Sequence, residues 1–215
     1  NFLLAGQSAD LTDPERLALL HRRAFPDLRF TTIGLDDADA RFDEQAWRAA
    51  GFEVERLVVL RASTAEVGAP DPAADEVVGD ADWADVLSVA LEDSGESGDG
   101  EFERIRVGAE RAAVEAGRAA WLGVRGEGRI VGTLGVLPAP GGIARYQNVG
   151  TLGTYRRRGI AGRLVRAGAA LAASRWGCAD LVMVADAEGP AVALYRRLGF
   201  EDAETQVQLT RIARS

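Results

Sequence analysis

The chain has no lysine; all 25 of its basic residues are arginine. That absence removes several chemistries together: a phosphate loop built on lysine, a Schiff-base enzyme, and modification of the chain's own lysines. Histidine, cysteine and methionine occur once each, as His21, Cys178 and Met183. A Cys/His zinc cluster is therefore out of reach and no metal is expected, while a Ser-His-Asp triad would depend wholly on His21. His21 falls within DPERLALLHRRAFP and is expected on the surface of that helix. A lone cysteine cannot close an internal disulfide, which fits a reducing cytoplasm, the expected location. Apolar runs stay short and broken by charge or glycine, and the opening NFLLAGQSAD lacks the basic flank and length of a signal peptide. No membrane partner is expected.

Negative charge is in excess. The net charge of −8 argues against nucleic acid as a partner, because a phosphate backbone requires a basic face. The excess is uneven: residues 1–75 hold 8 Arg against 14 Asp and Glu, a net of −6, which leaves 17 Arg against 19 acids, a net of −2, for residues 76–215. The second part is the better place for an anion, and an acidic first part tolerates a cationic substrate nearby. Between them, ASTAEVGAPDPAADE has neither helical nor alternating apolar spacing. This divides the chain into an α/β half-domain over residues 1–62, a linker over 63–76 and a larger domain over 77–215.

In the larger domain two helices, DADWADVLSVALED and EFERIRVGAERAAVEAG, flank a Gly/Ser/acidic loop. Three short apolar runs follow, AAWLGVR, RIVGTLGVLP and IARYQNVGT, with turn residues between them, which predicts an antiparallel meander. The period then becomes helical from Gly159 to Gly177. DLVMVAD reads as a buried strand, GPAVALYRRLG as a helix, and FEDAETQVQLTRIA as a closing strand or hairpin. The sum is an α+β fold with a mixed sheet and one parallel crossover.

One stretch is out of character for an acidic chain: YRRRGIAG, where Arg156, Arg157 and Arg158 crowd against Gly159 between a strand and a helix. A helix N-terminus offers unpaired N–H groups and about half a positive charge, and glycine lets an anion come close. The stretch reads as a phosphate cradle. It is neither a lysine P-loop nor a dinucleotide fingerprint, since no G-x-G-x-x-G opens the helix.

Arg156, Gly159 and Ala161 in this stretch resemble motif A of the Gcn5-related N-acetyltransferases (GNAT), Q/R-x-x-G-x-G/A. NVGT before it, LVMVAD after it, and AVALYRRLGF, similar to the family's A-x-x-L-Y-x-x-x-G-F ending, come in the family's order over Val77 to Arg214. The resemblance implies the GNAT fold: a mostly antiparallel sheet with a splayed parallel strand pair. It implies acetyl-CoA as cosubstrate, its pyrophosphate at Arg156, Arg157, Arg158, Gly159, Ile160, Ala161 and Gly162. Its pantetheine arm is implied against the backbone of Val149, Gly150 and Thr151, beside a bulge. A primary amine, small-molecule or peptide and of cationic character, would attack the thioester directly in a ternary complex, and Tyr195 would protonate the leaving thiolate as general acid. The chain departs from the pattern in two places. Where many members carry a carboxylate base on the strand before motif A, this chain offers Gln147 and Asn148, and a frequent asparagine is replaced by Glu188. Asp186 and Glu188 are substitute base candidates, or ordinary helix-start charges. A homodimer is a further expected association.

Within residues 1–62, IGLDDADARFDEQAWRAAGFEVERLVVLRA aligns with VMVADAEGPAVALYRRLGFEDAETQVQLTR, with Trp47 in the place of Tyr195 and no counterpart of RRRGIAG. The first part reads as a degenerate GNAT-like half-repeat. A non-catalytic acyl-CoA-binding or regulatory module is the alternative to an enzyme.

Overall fold

The computed structural model describes residues 2–6, 9–26, 28, 30–35, 42–67, 74–95 and 100–212. In chain order its elements are β1 (Leu3–Ala5), α1 (Pro14–Ala24), β2 (Phe30–Leu35), α2 (Glu44–Ala49), β3 (Glu53–Ser63), β4 (Ala74–Glu76), α3 (Gly79–Asp93) and α4 (Gly100–Glu115). These are followed by β5 (Ala120–Gly126), β6 (Arg129–Ala139), β7 (Ile143–Thr151), a 3-10 turn at Gly153–Tyr155, α5 (Ile160–Trp176), β8 (Asp180–Asp186), α6 (Pro190–Arg197) and β9 (Glu201–Ile212). The fold is mixed α+β. Its strand pairs are mostly antiparallel, with parallel pairs at β1–β2 and β7–β8. Among the described residues no helix is long and apolar enough to cross a membrane.

The chain forms two compact units. The first gathers three separated segments, Asn1–Val59, Ala185–Val192 and Asp202–Ser215. Its strands run in the order β1-β2-β9-β3, so a strand from the end of the sequence lies beside β2, with Ile33 opposite Leu209 and Leu35 opposite Val207. All four side chains are buried together with Leu17, Trp47 and Phe52. Asp13 and Asp43 cap α1 and α2 by accepting the N–H groups of Arg16 and Ala46, the usual answer to unpaired donors at a helix start. His21 is buried, not on the surface as its neighbours suggest. It shares the inward face of α1 with Leu17 and Ala18, a spacing of three to four residues that outweighs the flanking arginines, and its ring lies 4.9 Å from that of Phe25.

The second unit comprises Leu60–Val184 and Ala193–Glu201. Its strands follow the order β8-β7-β6-β5-β4, with β5, β6 and β7 forming the expected meander. Of the stretch read as a linker, Ala74–Glu76 is β4 and pairs antiparallel with β5, while residues 68–73 lie outside the described residues. Residues 96–99 of the Gly/Ser/acidic loop also lie outside them. Helices α3 and α4 pack over a core built from Trp83, Val86, Val107, Trp121 and Ile130. The close approach of α3 to the sheet requires Gly150, where a Cβ would lie 2.8 Å from Val89. Buried Asp82 ties the start of α3 down: it accepts the Val78 N–H at 3.0 Å and two contacts from Arg125 Nη2 at 2.8 and 2.9 Å.

Candidate functional site

The start of α5 combines a left-handed glycine with the lack of both a side-chain cap and an acid. Its N-cap is Gly159, in the left-handed region at φ 78°, and no side chain caps it. No acid occupies its first turn, whereas α1, α2, α3 and α4 each carry at least one. The first N–H groups of α5, together with its dipole, are thus left for an anion. Arg157, just before the cap, is also left-handed at φ 60°. The three arginines are dispersed by local partners. Arg156 donates to the Thr151 carbonyl at 3.0 Å and pairs with Asp93 at 3.3 Å. Arg158 donates to the Thr154 carbonyl at 3.0 Å and lies over the Tyr155 ring. Arg157 donates to no group among the described residues. Exposed pairs of this kind contribute about 0–1 kcal/mol, so an arriving phosphate can recruit these cations at little cost. The end of α3 fixes the loop from below, as Glu92 accepts the Gly153 N–H.

The strand leading to this loop is irregular where the sequence motif implies. Along β6 and β7, Gly135 faces Gln147 while Thr133 faces Gly150, so β7 carries one extra residue at Asn148–Val149. Asn148 takes φ 52° to accommodate it, the geometry of a β-bulge. The parallel ladder with β8 holds only at Ile143↔Asp180, Ala144↔Leu181 and Arg145↔Val182. Beyond Arg145 the two strands part, and β7 continues to Thr151 without β8 beside it. Val149, Gly150 and Thr151 therefore form an opened strand edge that runs directly into the Arg156–Gly162 loop. The Thr151 carbonyl is already engaged by Arg156.

Tyr195 is buried in α6 with Val192 and Leu198. The sequence suggests a face made by Ala191, Leu194 and Leu198 with Tyr195 at its edge; the three-residue spacing of Val192, Tyr195 and Leu198 instead puts the tyrosine at its centre. Its ring lies 6.2 Å from that of Phe200, and its hydroxyl is bonded to no group among the described residues. Burial, with the Asp93 carboxylate adding to it, pushes the phenol up to about 12, so it keeps its proton at neutral pH. Asp93 thereby acts electrostatically on Tyr195 while it pairs with Arg156. Asp186 and Glu188 are exposed residues of the first unit, where Asp186 accepts the Glu188 N–H at 3.0 Å in the turn before α6. That is the bonding of a turn.

A cavity of about 240 Å³ lies in the second unit, between α3 and α4 on one side and β5, β6 and β7 on the other. Val86, Val89 and Ala90 form its apolar wall, and its floor includes Asn148 and Gly150 of the bulged strand. Its charged groups are Asp93, Glu103, Arg106 and Glu110. Arg106 bridges both glutamates of its own helix, reaching Glu110 Oε1 at 2.7 Å and Glu103 Oε2 through Nε at 2.9 Å, and Asn148 donates to the same Glu110 oxygen. Burial raises Glu110 above the usual carboxylate range against the opposing pull of Arg106. Nothing in the sequence singles these residues out, because EFERIRVGAERAAVEAG looks like a solvated charged helix. The available signal was their spacing: Glu103, Arg106 and Glu110 share a face with Val107 by intervals of three and four, and Phe102 and Ile105 are the exposed residues instead.

Among the solved structures that share the fold are the three that follow. A functionally unknown conserved protein from Staphylococcus epidermidis matches with a TM-score of 0.68 and 16% identity, over 86% of this chain and 73% of that one. A putative GNAT-family acetyltransferase from Novosphingobium aromaticivorans matches at 0.62 and 22% identity, over 94% and 81%. A tandem GNAT protein from the clavulanic acid biosynthesis pathway matches at 0.58 and 16% identity, over 92% and 68%. No curated protein matches in sequence. The family model for the acetyltransferase (GNAT) family matches residues 83–200, more than half of the chain, and the chain belongs to that family, whose members are acetyltransferases acting on acyl-CoA.

Proposed function

We propose that the protein transfers an acetyl group from acetyl-CoA to a primary amine by direct attack within a ternary complex. The observation that carries this reading is the continuity of the bulged, unpaired edge of β7 with the uncapped start of α5. An extended pantetheine arm needs backbone partners along a strand, and a diphosphate needs N–H groups and cations where that strand ends. Val149, Gly150 and Thr151 would serve the first need and Arg156 to Gly162 the second, with Arg157 as the readiest cation. Bound there, acetyl-CoA supplies an activated thioester. Tyr195 holds a proton at neutral pH and has a hydroxyl that no described residue engages, which supports its role as donor to the departing sulfur. Asp186 is committed to a turn and Glu188 lies exposed beside it, which leaves both as weak candidates for the base. The acceptor is a small molecule or a peptide side chain of cationic character, matching the acidic cavity beside Asn148.

The first unit fits a degenerate half-repeat: β2, α2 and β3 repeat the strand, helix, strand order of β8, α6 and β9. Trp47, in the place of Tyr195, is buried and spends its indole N–H on the Leu11 carbonyl at 3.0 Å, a packing role. Likeness over 92% of the chain to a tandem GNAT protein supports the same reading.

Calorimetry with acetyl-CoA, followed by thiol release across a panel of primary amines, tests the proposal. Binding with amine-dependent release is expected. Binding without release for any amine would instead make the chain an acyl-CoA-binding module, and absence of binding would refute the reading altogether.

A further inference from the structure

The outer face of α4 is apolar along its length. Phe102, Ile105, Ala109 and Ala112 follow one another at intervals of three and four, and all are exposed, Ile105 by 66% and Phe102 by 39%. Ala116, exposed just past the end of α4, continues the series, its N–H donating to the Ala112 carbonyl at 3.1 Å. Such spacing draws one stripe along the helix, turned away from the inner face that carries Glu103, Arg106 and Glu110. Single apolar residues on a surface need no explanation, whereas a continuous run of them marks a surface that another molecule covers.

Two properties of the stripe identify what covers it. The first is a gradient of size, with the bulky Phe102 and Ile105 in the N-terminal half and alanines in the C-terminal half. A copy of the same helix, running antiparallel about a two-fold axis between Gly108 and Ala109, sets each bulky residue against a small one: Ile105 meets Ala112 of the copy and Phe102 meets Ala116. Gly108 and Ala109, at the axis, let the two backbones come close. A parallel pair would bring Phe102 level with Phe102 and hold the alanines apart across a gap. The second property is charge. Arg104 and Glu115 lie on one flank of the stripe, one toward each end, and both are exposed. In an isologous contact each flank meets its own copy in reverse, so Arg104 comes level with Ala113 of the copy, two residues from its Glu115. The same pair recurs on the other side of the axis. Arg111 Nε reaches Glu115 Oε1 at 2.7 Å, yet the Glu115 side chain remains 61% exposed. Arg104 donates only to the Gly100 carbonyl among the described residues, an exposed contact at 3.0 Å.

We propose that the outer face of α4 is a dimer interface, on which a second copy of this chain docks antiparallel, joined by two Ile105 to Ala112 contacts, two Phe102 to Ala116 contacts and two Arg104 to Glu115 pairs. From Phe102 to Ala116 the stripe runs about 21 Å. An interface of one helix pair is small among specific ones, so the dimer is weak and forms as concentration rises. This association is separate from acetyl transfer and stands whether or not that reading does. Because the inner face of α4 forms one side of the cavity, the copy braces that wall from outside.

Sedimentation equilibrium of the full chain from about 1 to 500 μM, a range that spans weak association, should show monomer and dimer in exchange. Ile105→Glu places a charge in the contact and should raise the dissociation constant by about tenfold or more, with the circular dichroism spectrum and melting temperature of the monomer unchanged because Ile105 is exposed there. Arg104→Glu sets acid against acid at both pairs, and Glu115→Arg sets arginine against arginine. Each alone should dimerise about tenfold more weakly. Mixed in equal amounts, the two variants should form a heterodimer in which both pairs are again opposite in sign, with a dissociation constant within about threefold of wild type. Wild type that stays monomeric throughout, or a dimer that Ile105→Glu leaves intact, overturns the proposal, and so does a mixture that associates no better than its components. Ile105→Glu is read independently of the charge pairs should Glu115→Arg fail to fold.

Discussion

Replacing Gly159 with alanine separates the cost of a backbone conformation from the cost of a blocked anion site. Gly159 sits at φ 78°, and a Cβ there would meet no protein atom within 4 Å. The methyl group therefore clashes with nothing in the protein, and the stability loss is the left-handed strain alone, about 1–2 kcal/mol for an L-residue. At about 2–4 °C per kcal/mol for a chain of this size, the melting temperature should fall by about 2–8 °C. Gly177 provides the matched control: it terminates the same helix at φ 64°, also with open space around it. Gly177→Ala should lose a similar amount of stability. Coenzyme A affinity should split the two. If the diphosphate lies at the start of α5, a methyl at Gly159 obstructs its approach, and forfeiting one charge-assisted hydrogen bond, about 1.5–3 kcal/mol, weakens binding by about 10- to 100-fold. At Gly177 affinity should hold. Isothermal calorimetry on the three proteins, with melting curves in parallel, measures both quantities. If Gly159→Ala binds coenzyme A as tightly as Gly177→Ala does, the start of α5 is not where the diphosphate lies.

Tyr195→Phe keeps the buried ring and removes a hydroxyl that no described residue engages, so stability should hardly change while turnover falls about 10²- to 10⁴-fold at unchanged coenzyme A affinity; turnover within a few-fold of wild type would assign the residue to packing. One acetyl-CoA should bind per chain, because Asp13 and Asp43 already occupy the starts of α1 and α2 with negative charge; a calorimetric stoichiometry near two contradicts this. Asp82 offers a pH test. Burial pushes its carboxyl up, but the Val78 N–H and Arg125 outweigh burial and hold it below its ordinary value. A depressed folded value contributes stability above the unfolded one and loses it as pH falls through the folded one. Asp82→Asn should therefore destabilise the protein at neutral pH by about 1–3 kcal/mol, and its melting temperature should converge with wild type below the ordinary aspartate range. A gap that persists undiminished in acid would show that the charge is not what matters.

Sequence punctuation marked much of this fold. Gly159 and Gly177 bracket α5 because each needs a left-handed backbone, and DLVMVAD coincides with β8 because alternation under a helix leaves few other options. The helix start behind YRRRG was legible for the same reason, whereas the local partners of Arg156 and Arg158 were not. What escaped depends on pairing across distance. Nothing in ADE marks β4 until Val124, Gly123 and Leu122 are beside it. Glu110 reads as one more charge on a solvated helix until Arg106, Asn148 and the walls of the cavity enclose it. His21 misleads in the same manner: arginines flank it in sequence, and Leu17 and Ala18 decide where it points.

The position of β9 has a consequence for synthesis on the ribosome. β2 is made long before the strand that covers its edge, Val207 opposite Leu35 through Arg211 opposite Thr31. Pairing of such sequence separation is slow, because the closure entropy of the intervening chain comes before the contacts that repay it. Until β9 is made, nascent chains carry Ile33 and Leu35 without Leu209 and Val207, and an uncovered strand edge of that kind is a template for a neighbouring chain. Loss of β9 alone would therefore harm β2, made long before it, most.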